Sequence, residues 1–337
     1  MKKTASKTTK ILLAAVLIVL PVLTAFFCLA AGRYPLSVAD VWGSMPQVLS
    51  GEMADNTAKI VGTMRLPRIL LAMIVGAGLS VAGTAFQSLF GNPLATPDTL
   101  GVASGAGFGA AVGILLGQSL IGVQLTALLM GFLAVAITYL IGRGKSEGMT
   151  SVVLGGMVVS SLFSALISLV KFVADTDSQL PAITYWLMGS LSAANYKTLL
   201  MGLPFILIGC LSLYLIRWRM NILPLSDDEA RSTGTALKEL RILTIVASTM
   251  ITAASVSMCG LVSWVGLLIP HICRMMFGSN TRKLVPASMS LGAVFMILMD
   301  TAARSMTEAE IPVSILTAII GAPVFISLLR KTGGFKL

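Results

Sequence analysis

The chain has 337 residues, of which 56% are hydrophobic and only 11% carry a charge. A soluble domain carries about 25% charged residues, so this composition excludes an ordinary soluble protein. The charges are grouped in short polar stretches between long apolar runs. Repeated apolar runs of about 20 residues indicate transmembrane helices. We therefore predict an all-α, polytopic membrane protein with a single transmembrane domain over residues 1–337.

Ten apolar runs follow one another along the chain, and each predicts one membrane span. The first run is longer than the apolar region of a cleaved signal peptide, so we interpret it as a retained helix. The spans are Ile11–Ala31, Leu66–Phe86, Leu100–Leu116, Val123–Ile141, Ser151–Val173, Thr198–Ile216, Ile242–Met258, Leu261–Met276, Leu284–Thr301 and Val313–Leu329.

The distribution of basic residues predicts the orientation of these spans, because loops rich in Lys and Arg stay in the cytoplasm. If the N-terminus is cytoplasmic, seventeen of the 24 basic residues lie on the inner side. We therefore expect both termini to be cytoplasmic. The net charge of +10 reflects this loop pattern and does not indicate nucleic-acid binding. The seven outer residues are Arg33, Lys59, Arg65, Arg68, Lys171, Lys197 and Arg304.

Two regions interrupt the helical pattern. Phe90–Leu100 contains two prolines, which predict a break between the second and third spans. We place the other break inside the eighth span, at Gly266 and Pro270. Irregular backbone at membrane depth, once in each half of a chain, is typical of transporters with an inverted repeat. We predict that spans 2–5 (residues 66–173) and spans 7–10 (residues 242–329) are the two repeats.

Small residues recur at every fourth position in two spans. Such stripes favour close packing of helices over a role in lining a translocation pathway. In the second span the stripe is Ala72, Gly76, Ser80 and Thr84, and in the third it is Gly101, Gly105, Gly109, Gly113 and Gly117.

The polar stretch between the sixth and seventh spans predicts a short separate helix on the inner surface. Ser226 and Glu229 have the spacing of a capping box, and Asp227 and Asp228 fall in the first turn, where the helix dipole favours acids. Gly234 is typical of a helix stop. On these residues alone, a passive connecting helix remains an alternative interpretation.

Few motifs indicate chemistry in this chain. Gly144-Lys145-Ser146 lacks the upstream glycine of a phosphate loop, so we expect no ATP site here. The single histidine, His271, and four scattered cysteines without CxxC spacing predict no metal site. We expect His271 to hydrogen-bond to nearby backbone beside Pro270.

Asp300 is the one acid within an apolar run, and Arg304 follows it by one helical turn. This spacing predicts an ion pair near the outer surface. A proton-coupled carrier usually needs several intramembrane carboxylates, so a single one weakens the alternative of an ion-coupled secondary transporter.

Seven segments, in a consistent order and spacing, carry a resemblance to a known family. They are Arg65–Arg68, 82–109, 153–166, Tyr185–Ser190, 226–234, 260–278 and 310–331. Together they resemble the permeases of iron-siderophore, haem and vitamin B12 ABC importers. The resemblance implies a bacterial plasma-membrane permease with ten helices, a second permease subunit, two ATPase subunits and an extracytoplasmic binding protein. The cargo implied is a metal chelate, with ferric siderophore favoured over haem or cobalamin.

The resemblance also implies roles for individual residues. Arg65, Arg68 and Arg304 match outer arginines that dock acidic residues of the binding protein, although membrane lipid phosphate is another partner for them. Thr150 and Ser151 match a cytoplasmic gate. No cofactor or enzyme activity is expected in this chain, since ATP and Mg²⁺ bind the ATPase partner. The cytoplasmic segment 217–241 matches an ATPase-coupling surface, with Leu223, Ser226, Asp227, Asp228, Glu229, Ala230, Arg231 and Gly234.

Overall fold

A computed structural model describes residues 7–142 and 149–331 as a bundle of helices. The short α3 continues through a π-helical segment, Ile60–Arg65, into α4 without a break. Short 3-10 turns cover Pro97–Leu100 and Arg219–Ile222. The helices are α1 (Lys7–Ala30), α2 (Val38–Ser50), α3 (Asn56–Lys59), α4 (Leu66–Leu89), α5 (Val102–Leu115), α6 (Leu120–Gly142), α7 (Met149–Val173), α8 (Gln179–Leu187), α9 (Tyr196–Ile216), α10 (Asp227–Ser232), α11 (Leu237–Cys259), α12 (Val265–Phe277), α13 (Thr281–Ser305) and α14 (Val313–Lys331).

The ten predicted spans each have a counterpart among these helices. Six helices are long and apolar enough to cross a membrane, namely the continuous helix 56–89 and α6, α7, α9, α11 and α13. Four shorter apolar helices, α1, α5, α12 and α14, correspond to the remaining runs. The sequence prediction missed α2 and α8. Both are too short to appear as apolar runs of membrane length.

The two irregular segments each precede a short helix. One lies between α4 and α5, and the other lies between α11 and α12. The predicted break over 90–100 is confirmed, because α4 ends at Leu89 and α5 begins only at Val102. The predicted break at Gly266 and Pro270 is wrong, since both residues lie inside α12. The interruption falls over 260–264 instead. It ends at Trp264, a non-glycine residue at φ 72° that packs its ring against Phe325 of α14.

Helix packing follows the pattern that two repeats would produce. The first helix of each proposed repeat, α4 or α11, is mostly buried and lies at the centre of the bundle. In both cases it packs on the second and third helices of the other repeat. Thus α4 contacts α12 and α13, and α11 contacts α5 and α6. The short helices α5 and α12 thus each contact the first helix of the other proposed repeat.

Glycine stripes bring backbones together at these crossings. A Cβ on Gly76 would overlap the carbonyl oxygen of Gly292, and one on Gly109 would overlap that of Thr126. A side-chain hydrogen bond between Thr84 and Ser288, 2.9 Å long, adds to the α4–α13 contact. The packing interpretation is confirmed for the stripe of the second span and for Gly105, Gly109 and Gly113 of the third, because van der Waals contact must hold helices together where lipid offers no hydrophobic drive. It is wrong for Gly117, which lies beyond α5 and where a Cβ would meet nothing within 4 Å.

The bundle has two ends, which we name after the short helices there. The α2 end carries the segment 31–65, α8 and the loop 306–312. The α10 end carries the segments 90–101, 217–236 and 278–280. The seven basic residues predicted to be outer belong to the α2 end, so the bundle separates them from the other described basic residues, which belong to the α10 end.

Candidate functional site

A cluster of buried charges lies at the α2 end, between α4 and α13. Arg68 donates from Nε to Asp300 Oδ1 and from Nη1 to Glu310 Oε2, both at 2.8 Å. Arg304 Nε lies 3.8 Å from Asp300 Oδ2, so the predicted ion pair between these residues is confirmed. The sequence analysis did not predict the second partner of Asp300, which is Arg68. Arg68 is 232 residues away in sequence and makes the shorter contact with Asp300.

Two of the arginines also cap the C-terminus of α1. The last carbonyl groups of a helix have no partner within it and carry the negative end of the helix dipole. Arg65 Nη1 donates to the carbonyl oxygens of Leu29 and Ala30, at 2.6 and 2.9 Å, and Nη2 donates to that of Tyr34. Arg304 Nη2 donates to the carbonyl oxygen of Cys28 at 2.5 Å. The two guanidinium groups thus replace a conventional helix cap.

The local backbone explains how Arg65 reaches α1. Arg65 ends the π-helical segment, in which Leu66 N donates to Val61 O instead of to the residue four positions back. Pro67 follows Leu66 in the first turn of α4 and has no backbone N–H to donate. Single π turns inside α-helices are rare and are frequently found at functional sites. The sequence contained a signal for this irregularity in the Arg-Leu-Pro-Arg motif.

All three arginine side chains are largely buried. Arg65, Arg68 and Arg304 are 5%, 8% and 7% exposed. Their positive charges are already matched within the chain, by two carboxylates and by the carbonyl groups at the end of α1. Only Glu310, with 27% of its side chain exposed, brings the cluster to the surface. The cluster ties α1, α4, α13 and the loop before α14 together.

The short helix at the α10 end has the predicted local structure. Ser226 N and Oγ donate to Glu229 Oε2 at 3.1 and 2.9 Å, and Glu229 N donates back to Ser226 Oγ at 3.4 Å. The helix ends at Ser232, and Gly234 adopts φ 70° beyond it. The capping box and the glycine stop are confirmed.

The predicted coupling residues fall into two groups. Ser226, Asp228, Glu229 and Gly234 are exposed. Leu223 and Ala230 are buried against this chain's own core, so their side chains are not exposed on the surface of the segment. They anchor the segment instead. Asp227 and Arg231 lie in the helix, but their side chains are outside the described part of the structure.

The segment is also fixed to the start of α13. Thr281 N donates to Asn221 Oδ1 at 2.9 Å, and Thr281 Oγ1 donates to the carbonyl oxygen of Arg217 at 2.5 Å. A polar cleft of about 430 Å³ lies beside this joint and is lined by Gln87 and Arg274, among others. Because α13 also carries Asp300 and Arg304, one continuous helix connects both candidate sites.

The predicted gate residues begin α7. Thr150 is exposed and Ser151 is half-buried, one and two residues after the helix starts. The preceding residues 143–148, including the Gly-Lys-Ser sequence, lie outside the described residues. The expected backbone contact of His271 is wrong, because neither ring nitrogen has a hydrogen-bond partner among the residues that the structure describes. Its ring packs on Phe325 instead, with centroids 5.4 Å apart.

Comparison with known proteins agrees with this architecture. Residues 17–331 match the FecCD transport family. The chain is 41% identical to the molybdate import system permease of Haemophilus influenzae, over 94% of each chain. It is 38% identical to a probable iron chelatin transport system permease of Helicobacter pylori, over 85% of this chain and 87% of that one.

A solved structure has a closely similar fold. It is described as an inward-facing conformation of a putative metal-chelate type ABC transporter. It superposes with a TM-score of 0.87 at 41% identity, covering 95% of this chain and 99% of that one. These findings define a permease component of an ABC importer, a non-catalytic multi-pass membrane subunit. The chain belongs to the FecCD transport family.

Proposed function

We propose that this chain forms the path through which an ATP-driven importer brings a metal into the bacterial cytoplasm. The family match over residues 17–331 carries this proposal. A complex of two permease subunits, two ATPase subunits and one binding protein is the arrangement we favour. In it the α2 end faces outside, and both termini face the cytoplasm. ATP and Mg²⁺ bind the ATPase subunits, and this chain binds no cofactor and no nucleic acid.

The exposed side of α10 is the surface that we propose for contact with the ATPase. Asp228 and Glu229 face solvent there, while Leu223 and Ala230 hold the helix against the bundle. Rigid attachment is what a coupling element needs, because movement of the ATPase then moves the permease core. The substitution Asp228→Lys should weaken association with the ATPase and reduce transport. Asp177→Lys, a matched change of an exposed acid at the α2 end, should leave association with the ATPase unchanged.

For docking of the binding protein, Arg65, Arg68 and Arg304 remain the proposed residues at the α2 end. Their burial adds a condition, since a carboxylate of the partner must compete with Glu310, which contacts Arg68 at 2.8 Å. Glu310→Gln should therefore tighten binding of the protein to the permease in nanodiscs, most clearly at low salt. Unchanged affinity at every salt concentration would mean that the arginines only stabilise the bundle.

Thr150 and Ser151 are the residues that we propose to narrow the cytoplasmic exit. Both begin α7, the least buried of the six long helices, and an unpacked helix end has room to move. A pair of cysteines introduced at position 150 of two adjacent permeases should cross-link in a closed state and block transport.

The cargo that we propose is a ferric siderophore, with haem or cobalamin as further members of the chelate class. Molybdate is a second candidate, because the Haemophilus relative is 41% identical over nearly the whole chain. Uptake of labelled iron siderophore and labelled molybdate by cells with and without the gene distinguishes the two. Uptake that persists after ATP depletion but stops with a protonophore would instead favour an ion-coupled transporter.

A further inference from the structure

The helix α2 has two apolar faces, one buried against the rest of the protein and one largely exposed. Val41, Ser44 and Val48 are buried, and Val48 approaches Gly62 of the π-helical segment. The other face carries Val38, Trp42 and Leu49, at spacings of four and seven residues that place them on one side of a helix. Trp42 is 69% exposed and Leu49 is 83% exposed. A second apolar face on a 13-residue helix requires a partner.

The exposed face of α2 continues the lipid-facing surface of α1. Trp42 packs edge-to-face on Phe26, with ring centroids 5.9 Å apart, and Phe26 packs in the same way on Phe27 at 5.7 Å. Phe27 is exposed, as are Leu23 and Val19 further along α1. These α1 side chains lie on a membrane-spanning helix, so the surface that they form is covered by acyl chains.

The position of this aromatic group along α1 indicates its depth. Phe26 and Phe27 are within one turn of Ala30, the last residue of α1. The charge cluster begins at the same level, because Arg65 and Arg304 contact residues 28–30. Hydrocarbon must give way to headgroups at that depth. Tryptophan prefers this boundary because its ring is apolar and its N–H needs a hydrogen-bond partner.

The ends of α2 are consistent with a helix that is complete in itself. Ser37 and Asp40 form a reciprocal capping box at its start, and Gly51 ends it at φ 79°. The only charged residue within it is Asp40, in the first turn. An amphipathic helix with its own caps and an apolar face is able to lie in the plane of a membrane interface.

We propose that α2 is an interfacial membrane anchor, with Val38, Trp42 and Leu49 inserted at the boundary between headgroups and acyl chains. Lipid covers the exposed apolar face of α2, since this face is continuous with the lipid-exposed side of α1. The buried face then transmits this fixed depth to the π-helical segment and to Arg65. The anchor would hold the charge cluster at a constant level in the membrane.

Spin labels on two adjacent exposed positions test the proposal in the full chain in lipid nanodiscs. A label at Leu49→Cys should collide more with oxygen than with a water-soluble nickel chelate. A label at Ser50→Cys, exposed on a different side, should show the opposite preference. The four native cysteines are buried, which limits competing labelling. If the labels at both positions collide more with the nickel chelate than with oxygen, the proposal is overturned.

Tryptophan fluorescence gives a second measurement with minimal change to the chain. The emission lost on Trp42→Phe isolates the contribution of Trp42 from that of the other three tryptophans. That contribution should be quenched at least twofold more by lipids brominated near the headgroup than by aqueous iodide. Predominant quenching by iodide would place Trp42 in water and refute the anchor. Spin–spin broadening of the label at position 49 would show that a second copy of this chain covers the exposed face of α2. Immobilisation of the label only when the binding protein is added would show that the binding protein covers it. Either result would refute the anchor.

Discussion

Removing the charge of Asp300 should destabilise the bundle more than any other single change in the charge cluster. At an effective dielectric constant of 20, attraction of Asp300 to Arg68 at 2.8 Å amounts to about 6 kcal/mol, and to Arg304 at 3.8 Å about 4 kcal/mol. Desolvation of the buried ions offsets most of that gain. Asp300→Asn leaves the arginines buried with half their counter-charge, which typically costs about 3–5 kcal/mol. Glu310→Gln, at the partly exposed edge, should cost about 1 kcal/mol or less.

Reversible unfolding in mixed SDS micelles measures these differences, with Glu308→Gln as a control at an exposed acid of the same loop. The double variant Arg68→Met with Asp300→Leu should recover much of the stability lost in Asp300→Asn, because it removes a charge together with its counter-charge. If Asp300→Asn unfolds no more easily than Glu308→Gln, the ion pairs contribute nothing to stability. The role of Arg65 and Arg304 in capping α1 would be unaffected by that result.

Three further predictions concern packing, a turn and pH. Gly292→Leu should separate α4 from α13, because even a Cβ there meets Gly76 O, and the variant should show loss of folded protein in detergent by size-exclusion chromatography. Gly234→Ala should destabilise the end of α10 by about 1 kcal/mol, because its φ is positive, and should speed proteolysis there without changing the unfolding midpoint of the bundle. Hydrogen bonds from Ser37 lower the pKa of Asp40 below 3.8. The cap therefore stabilises α2 above pH 3.8, and this stabilisation is lost as the pH falls through the lowered pKa of Asp40. Amide hydrogen exchange of α2 should detect the loss. The pH dependence should disappear in Asp40→Asn.

Membrane thickness explains why the spans could be predicted from the sequence. A helix that crosses hydrocarbon needs an apolar run of fixed length, so α9 was predicted to within two residues, as Thr198–Ile216 against Tyr196–Ile216. No such constraint acts on α2 or α8. Their apolar residues are spaced around one or two helix faces, and the sequence does not reveal which neighbour covers each face.

The burial of the arginines could not be predicted from sequence, although part of their pairing could. Arg68 and Asp300 were both predicted near the same side of the membrane, and a lone acid in an apolar run requires a cation. That reasoning gave the pair of Asp300 with Arg304, one helical turn away, and missed Arg68, which is 232 residues away in sequence. The capping of α1 by Arg65 and Arg304 depends on where α1 ends relative to two distant helices. Only the three-dimensional packing of the helices determines that position.

The sequence separation of the central ion pair has a consequence for biosynthesis. Arg68 and Asp300 are 232 residues apart, so at about 5–20 residues per second Arg68 waits roughly 10–50 s for its partner to be synthesised. During that time α4 is in the membrane with an uncompensated guanidinium group, which must stay near the headgroups. The nascent first half is therefore incompletely docked until α13 inserts. Chains that stop before Asp300 should expose this unpaired charge to membrane proteases, which gives the cell a way to recognise incomplete copies.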